Sequence, residues 1–216
     1  MLGECSIPTT EIDEPRTELR TVASTNVLIV AGPAASGKTT FATRLASRLS
    51  YSLFDLDQVT GPLVEQCLSL LGQPLHSLDE DLGQVLRAAR YEALLSAATA
   101  NISLGRHAVI AAPFTREIQS PASWREMLSH WSNDAAPTDV RTELIVVQCP
   151  DEVLRERLAR RGEARDLLKL ESGAAVSGPL PGVDFHAIDG TMDTEDEIDR
   201  LVAALHLGLP RVVAEV

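Results

Sequence analysis

Residues 32–40 read GPAASGKTT and follow directly on the apolar run VLIVA at 27–31. Five apolar residues, a glycine-rich turn and then a periodic segment form the strand, loop and helix that the pattern GxxxxGK[ST] needs before it carries meaning. Gly32 and Gly37 permit backbone conformations that a Cβ would obstruct, so successive amides can point inward at phosphate oxygens. The helix expected to open near Gly37 adds its free N-terminal amides and dipole. Lys38 supplies a mobile cation for a transferring phosphoryl group, and the Thr39 hydroxyl suits coordination of Mg²⁺. A turn that merely joins strand to helix has little need for Lys38 in a chain whose one other lysine is Lys169. The expected nucleotide-binding set is therefore Gly32, Ala34, Ala35, Ser36, Gly37, Lys38, Thr39 and Thr40, with ATP and Mg²⁺ as the cofactors.

Further along the chain, strand-like runs alternate with helix-length segments: YSLFDL at 51–56, HAVIAA at 107–112, ELIVVQC at 143–149 and DFHAID at 184–189. This alternation predicts a parallel sheet covered by helices. Phe41, Leu45 and Leu49 recur as an amphipathic helix requires, and a longer helix over about 79–104 repeats Leu82, Leu86, Ala89, Ala93 and Ala97. A last helix over about 195–207 follows an acidic cluster suited to a helix N-terminus. The Gly/Pro-rich stretch ESGAAVSGPLPGV at 171–183 reads as a mobile loop.

With 216 residues the chain forms one domain by expectation, preceded by a polar, poorly ordered tail over 1–25. Its start carries no basic region followed by an apolar stretch, so no secretory signal is expected. No apolar run approaches the length of a bilayer, and membrane contact is not expected. Three scattered cysteines predict a reducing, cytoplasmic setting, and five scattered histidines offer no transition-metal site. The net charge of −12 argues against broad binding of nucleic acid. Within this acidic chain, RERLARRGEARDLLK at 155–169 is a local basic island with six basic and three acidic residues.

No strand ends in the apolar-run-then-Asp pattern of a second acid beside the loop, except HAID with Asp189. The acids come early instead, in SLFDLDQV. Asp55 and Asp57 are two apart at the end of the second strand, so they are expected to point the same way across the pleat, beside the phosphate loop if those strands are neighbours. One carboxylate, Asp55, would hold the metal through its water shell, and the other, Asp57, would accept a proton from an attacking hydroxyl. A solvated acidic loop with a helix cap is the competing reading.

GPAASGKTT followed by FDLDQV resembles the branch of P-loop proteins that holds shikimate kinase, gluconate kinase and the nucleoside monophosphate kinases, over about residues 26–208. The segments RAARYEALLSAATANISLGRHAVIAAPFTREI and RGEARDLLKL look like the central and lid segments of the AAA-like small P-loop kinases, a set that includes chloramphenicol phosphotransferase-like and polynucleotide kinase-like proteins. The resemblance implies an α/β, three-layer P-loop NTPase fold with a five-stranded parallel sheet, nucleoside monophosphate kinase-like, spanning 26–216 with a lid at about 160–183. It also implies that Arg157 stacks on adenine, that Arg161 contacts phosphates, that Arg165 closes over the transferring group, and that DGTMDT at 189–194 sits against adenine. A helix face laced with ion pairs such as Glu156 with Arg160 competes for these arginines. Arg87 or Arg90 on the central helix, and Arg116 after the third strand, are candidates to grip the acceptor, or are surface arginines.

Where shikimate kinase has a glycine triplet after its third strand and nucleoside monophosphate kinases have Asp-Gly-x-Pro-Arg, this chain has AAPF, so neither substrate transfers by analogy. Trp124 and Trp131, seven apart, share a predicted helical face and read first as core and second as pocket lining. The expected activity is transfer of the ATP γ-phosphoryl group to a hydroxyl of a small-molecule acceptor by a monomer or homodimer. A polynucleotide 5′-hydroxyl kinase and a slow regulatory P-loop ATPase are the alternatives.

Overall fold

The computed structural model describes residues 24–72, 78–132, 139–162, 170–171, 176 and 181–205. Strand β1 (Thr25–Ala31) leads through the glycine-rich loop into α1 (Lys38–Leu49). β2 (Ser52–Asp55) and α2 (Leu56–Leu71) follow, then α3 (Glu80–Ile102), β3 (Ala108–Ala111) and α4 (Pro121–Leu128). β4 (Val140–Gln148), α5 (Asp151–Arg161), β5 (His186–Asp189) and α6 (Thr194–Leu205) complete the described elements. The five strands are all parallel in the order β2-β3-β1-β4-β5. Connections leave β1 and β4 toward opposite edges, which opens a crevice at their carboxyl ends, the usual ligand position in such sheets.

Alternation along β1 builds two cores. Val27, Ile29 and Ala31 face Leu94, Leu95 and Ala98 of α3 together with Met127 of α4 and Trp131, while Leu28 and Val30 face Phe41 and Leu45 of α1 and Ile198 and Leu201 of α6. A sheet covered on both faces explains why its strands read as unbroken apolar runs. α1 buries Phe41, Ala42, Leu45 and Ala46, as its spacing predicts. α3 does not follow the predicted stripe: its buried face is Tyr91, Leu94, Leu95, Ala98 and Ile102, and Leu82, Ala89 and Ala93 are exposed. An alanine-rich helix has several faces of similar polarity, and the bulkier residues determine which one packs. Trp131 lies beyond the end of α4 and not on a shared helical face with Trp124; it is buried, and its indole Nε1 donates to Thr142 Oγ1 at 3.1 Å.

The condition set for the early acids is not met, and one expectation about them needs correction. β2 is not a neighbour of β1, because β3 lies between them. Asp57 is not a strand residue: β2 ends at Asp55, and Asp57 sits in the first turn of α2. Residue 165 and most of the segment 160–183 fall outside the described residues, as do residues 1–23. Among the described residues, no helix is long and apolar enough to cross a membrane.

Leu94 is fully buried where α3 meets the sheet. Leu94→Ala is expected to lower the unfolding free energy by about 2–5 kcal/mol, read from urea denaturation. A loss below about 1 kcal/mol would contradict the assigned packing face.

Candidate active site

The loop after β1 owes its course to three residues with positive φ. Gly32 has φ 151°, and a Cβ there would stand 2.7 Å from the Val147 carbonyl oxygen of β4 and 2.8 Å from Ser36 Oγ. Ala35 (φ 64°) and Gly37 (φ 98°) complete the turn. Gly37 caps α1 without any side-chain hydrogen bond, so no side chain competes for the amides of the first helical turn. They open into a cleft of about 540 Å³, whose walls include Ala35 to Thr40, Asp57, Arg157, Arg160, Arg161 and residues 188–192. Gly32 and Ala34 shape the loop from behind the cleft and do not line it. Ser36 Oγ is buried and has no hydrogen-bond partner among the described residues.

Asp55 links two helices at the cleft edge. Its Oδ2 accepts from Thr39 Oγ1 at 3.0 Å, and its Oδ1 accepts from the amides of Asp57 (3.0 Å) and Gln58 (3.2 Å), the N-cap interaction that starts α2 and ends β2. α1 packs across β3, so Asp55 reaches Thr39 although β3 lies between β2 and β1 in the sheet order. Asp57 keeps an exposed side chain on the cleft wall, with Oδ1 held by Arg90 Nη2 at 2.5 Å. The two acids therefore meet at the phosphate loop by a helix cap and a helical turn, not by strand alternation. A hydroxyl and a carboxylate side by side at the start of α1 are hard oxygen donors of the kind Mg²⁺ takes with water and phosphate oxygens.

Arg157 has a task that sequence reasoning missed. Its Nη1 donates to the carbonyl oxygens of Ala35 (3.3 Å) and Ser36 (3.4 Å) and approaches Cys149 Sγ (3.4 Å), and its Nη2 donates to the Gly190 carbonyl at 2.9 Å. This fork clamps the phosphate loop to the turn after β5, on the wall where adenine contact was expected. Gly190 must lack a side chain, because a Cβ would lie 2.3 Å from Ser36 O and 2.6 Å from Cys149 Sγ. The glycine in DGT was the sequence signal, since a glycine just after a strand marks a close backbone approach. Burial pushes the Cys149 thiol up, against the pull of the Arg157 charge. Asp189 is held below the usual carboxylate range by the hydroxyl and amide of Thr191, so it braces this turn.

The three arginines expected from the sequence to grip an acceptor lie apart from the main cleft. Arg87 and Arg90 lie on α3 and do not line the main cleft; Arg116 is exposed after β3, beside a cavity of about 290 Å³ between α3 and α4. Arg87 makes a two-pronged pair with Glu117 at 2.8 and 2.9 Å. Arg90 also donates through Nε to Thr60 Oγ1 at 2.8 Å. Phe114, fully buried at φ 48°, donates its amide to the Tyr91 hydroxyl at 3.0 Å, fixing the AAPF turn against α3.

Burial, reinforced by the Glu117 carboxylate, pushes the Tyr91 phenol up to about 12 from 10.0. Ionisation then favours the unfolded chain, so stability present below pH 10 is lost as pH rises toward 12, by about 2–3 kcal/mol. Urea unfolding at pH 9 and pH 11.5 should show this loss, and Tyr91→Phe should reduce it. Arg157→Met should lower stability by roughly 1–3 kcal/mol, because four acceptors lose their donor; unchanged stability would contradict the clamp.

Solved structures share this architecture. They include a protein of Chloroflexus aurantiacus J-10-fl provisionally described as a kinase (21% identity, TM-score 0.59, covering 86% of this chain and 98% of that one). They also include an unliganded sugar kinase from Janibacter sp. HTCC2649 (18% identity, TM-score 0.55, covering 86% and 96%). A third is the Mycobacterium tuberculosis APS kinase in complex with AMPPNP and APS (15% identity, TM-score 0.57, covering 84% and 98%). At these identities the likeness is one of fold: a three-layer α/β P-loop NTPase with a five-stranded parallel sheet. A search of curated proteins finds no match. The sequence model for the AAA domain matches residues 27–175, which include the phosphate loop, the Asp55 cap and most of the sheet, and the chain belongs to that family.

Proposed function

We propose that this chain transfers the γ-phosphoryl group of ATP to a hydroxyl of a small molecule. The observation that carries the reading is the meeting of Thr39, Asp55 and Asp57 at the mouth of one glycine-rich loop. A bare nucleotide-binding loop needs no exposed carboxylate on the far wall, whereas transfer to a hydroxyl needs a proton acceptor there.

In this reading the uncapped amides of α1 and the Lys38 ammonium cradle the phosphates, and Arg161 adds positive charge from the last turn of α5. Thr39 and Asp55 would hold Mg²⁺, which when bound neutralises charge on the β- and γ-phosphate oxygens. Arg90 fixes one oxygen of Asp57, which leaves the other to take the proton from the attacking hydroxyl. The Arg157 clamp keeps the loop and the turn after β5 in register, and in this reading the base of the nucleotide would rest against that turn, beside Met192.

ADP release from ATP and Mg²⁺ across sugars, polyols, nucleosides, antibiotics and an oligonucleotide tests the proposal. One compound class should stimulate release in the wild type and fail to do so in Lys38→Ala. Asp57→Asn should lower the stimulated rate by roughly 10²–10⁴-fold with ATP affinity unchanged. Normal turnover by that variant would remove Asp57 as base. A flat, slow rate with every compound would favour a regulatory ATPase.

A further inference from the structure

A guanidinium fork turned toward it is a common means of holding the carboxylate or phosphate of an acceptor. Arg87 and Arg90, less than a turn apart on α3, are suited to that task by position, yet each already donates through Nη2 to an acid of this chain. Arg87 Nη2 meets both oxygens of Glu117, and the guanidinium carbon lies 4.2 Å from the centre of the Tyr91 ring. Arg90 is divided between Asp57 and Thr60. The Arg87–Glu117 pair is well shielded, with side-chain exposures of 28% and 17%, so its charges compensate each other with little help from water.

Glu117 is also held in place. Its Oε2 accepts from the Arg116 amide at 3.2 Å, and the turn that carries it is pinned to α3 by the Phe114 amide on Tyr91. Beside it, Glu92 and Glu126 face the same cavity between α3 and α4, with Arg116 at its exposed rim. Around this region the acids Asp57, Glu92, Glu117 and Glu126 outnumber the arginines Arg87, Arg90 and Arg116. An incoming anion meets a field that does not welcome it.

We propose that this neutralisation selects an acceptor without negative charge, an uncharged hydroxyl compound, and that Glu117 sets the selection by occupying Arg87. The inference rests on the phosphotransferase reading of the main cleft for the meaning of "acceptor", but its test reads anion binding and not transfer. An uncharged polyhydroxyl compound can hydrogen-bond to these carboxylates and guanidinium edges, whereas a carboxylate must displace Glu117 from Arg87 and leave it only the Arg116 amide.

The probe is inorganic phosphate, titrated calorimetrically into protein whose phosphate loop is first filled with AMPPNP and Mg²⁺. Wild type should bind a second phosphate weakly or below detection, and Glu117→Gln should bind it at least roughly tenfold more tightly than the wild-type value or detection limit, the gain of a charge-assisted arginine contact. Glu117→Gln combined with Arg87→Gln should lose that gain. Phosphate binding to wild type as tight as to Glu117→Gln, no gain in a folded Glu117→Gln, or a gain that survives loss of Arg87 would each overturn the proposal. Should Glu117→Gln not fold, the wild-type titration decides alone: a tight second phosphate site overturns the proposal, and weak or undetected binding supports it. Failure of the kinase reading would appear separately, as absent acceptor-stimulated ADP release.

Discussion

The Asp55 carboxylate divides its oxygens between two helices, and the geometry of the cleft depends on that division. One oxygen caps α2 through the amides of Asp57 and Gln58; the other takes the hydroxyl of Thr39 in the first turn of α1. Asp55 is 4% exposed, so an unmet oxygen would carry a full desolvation cost. Satisfying it fixes where β2 stops, where α2 starts and how close Asp57 stands to the phosphate loop. A chain that ended β2 two residues later would place Asp57 on a pleat and lose both the cap and the pairing with Arg90.

A second constraint acts on the other side of the loop. Arg157 holds the carbonyls of Ala35, Ser36 and Gly190 at once, and Gly190 approaches so closely that no side chain fits. Positive φ at Ala35 is a strained choice for a residue with a Cβ, and such strain persists only where surrounding contacts over-determine it. The clamp and the Val147 contact behind Gly32 supply that determination. The loop is thus preorganised by neighbours from β4, α5 and the turn after β5, which spares a bound phosphate the cost of ordering it.

The phosphate loop and the parallel sheet were legible because each rests on local chemistry: an apolar run and glycines at fixed spacing. What the sequence hid was non-local. The strand order that separates β2 from β1 depends on how helices pack across the sheet. The packing face of α3 was misread because alanines at 89, 93 and 97 do not distinguish one side of a helix from another, whereas Tyr91 and Leu94 do. The partners of Arg87, Arg90 and Arg157 are 30 or more residues away in sequence, or on another element altogether, so spacing alone gave their positions and not their tasks.

The main cleft and the region beside it differ in charge. Around the phosphate loop, amides, Lys38 and Arg161 gather positive potential, whereas each arginine of α3 donates to a carboxylate. The most direct measurement is the fate of ³²P from γ-labelled ATP incubated with the protein, Mg²⁺ and a mixed set of uncharged hydroxyl compounds. The account predicts label in an organic phosphate ester that depends on Lys38. Label recovered only as inorganic phosphate, at one slow rate whatever compound is added, would contradict it.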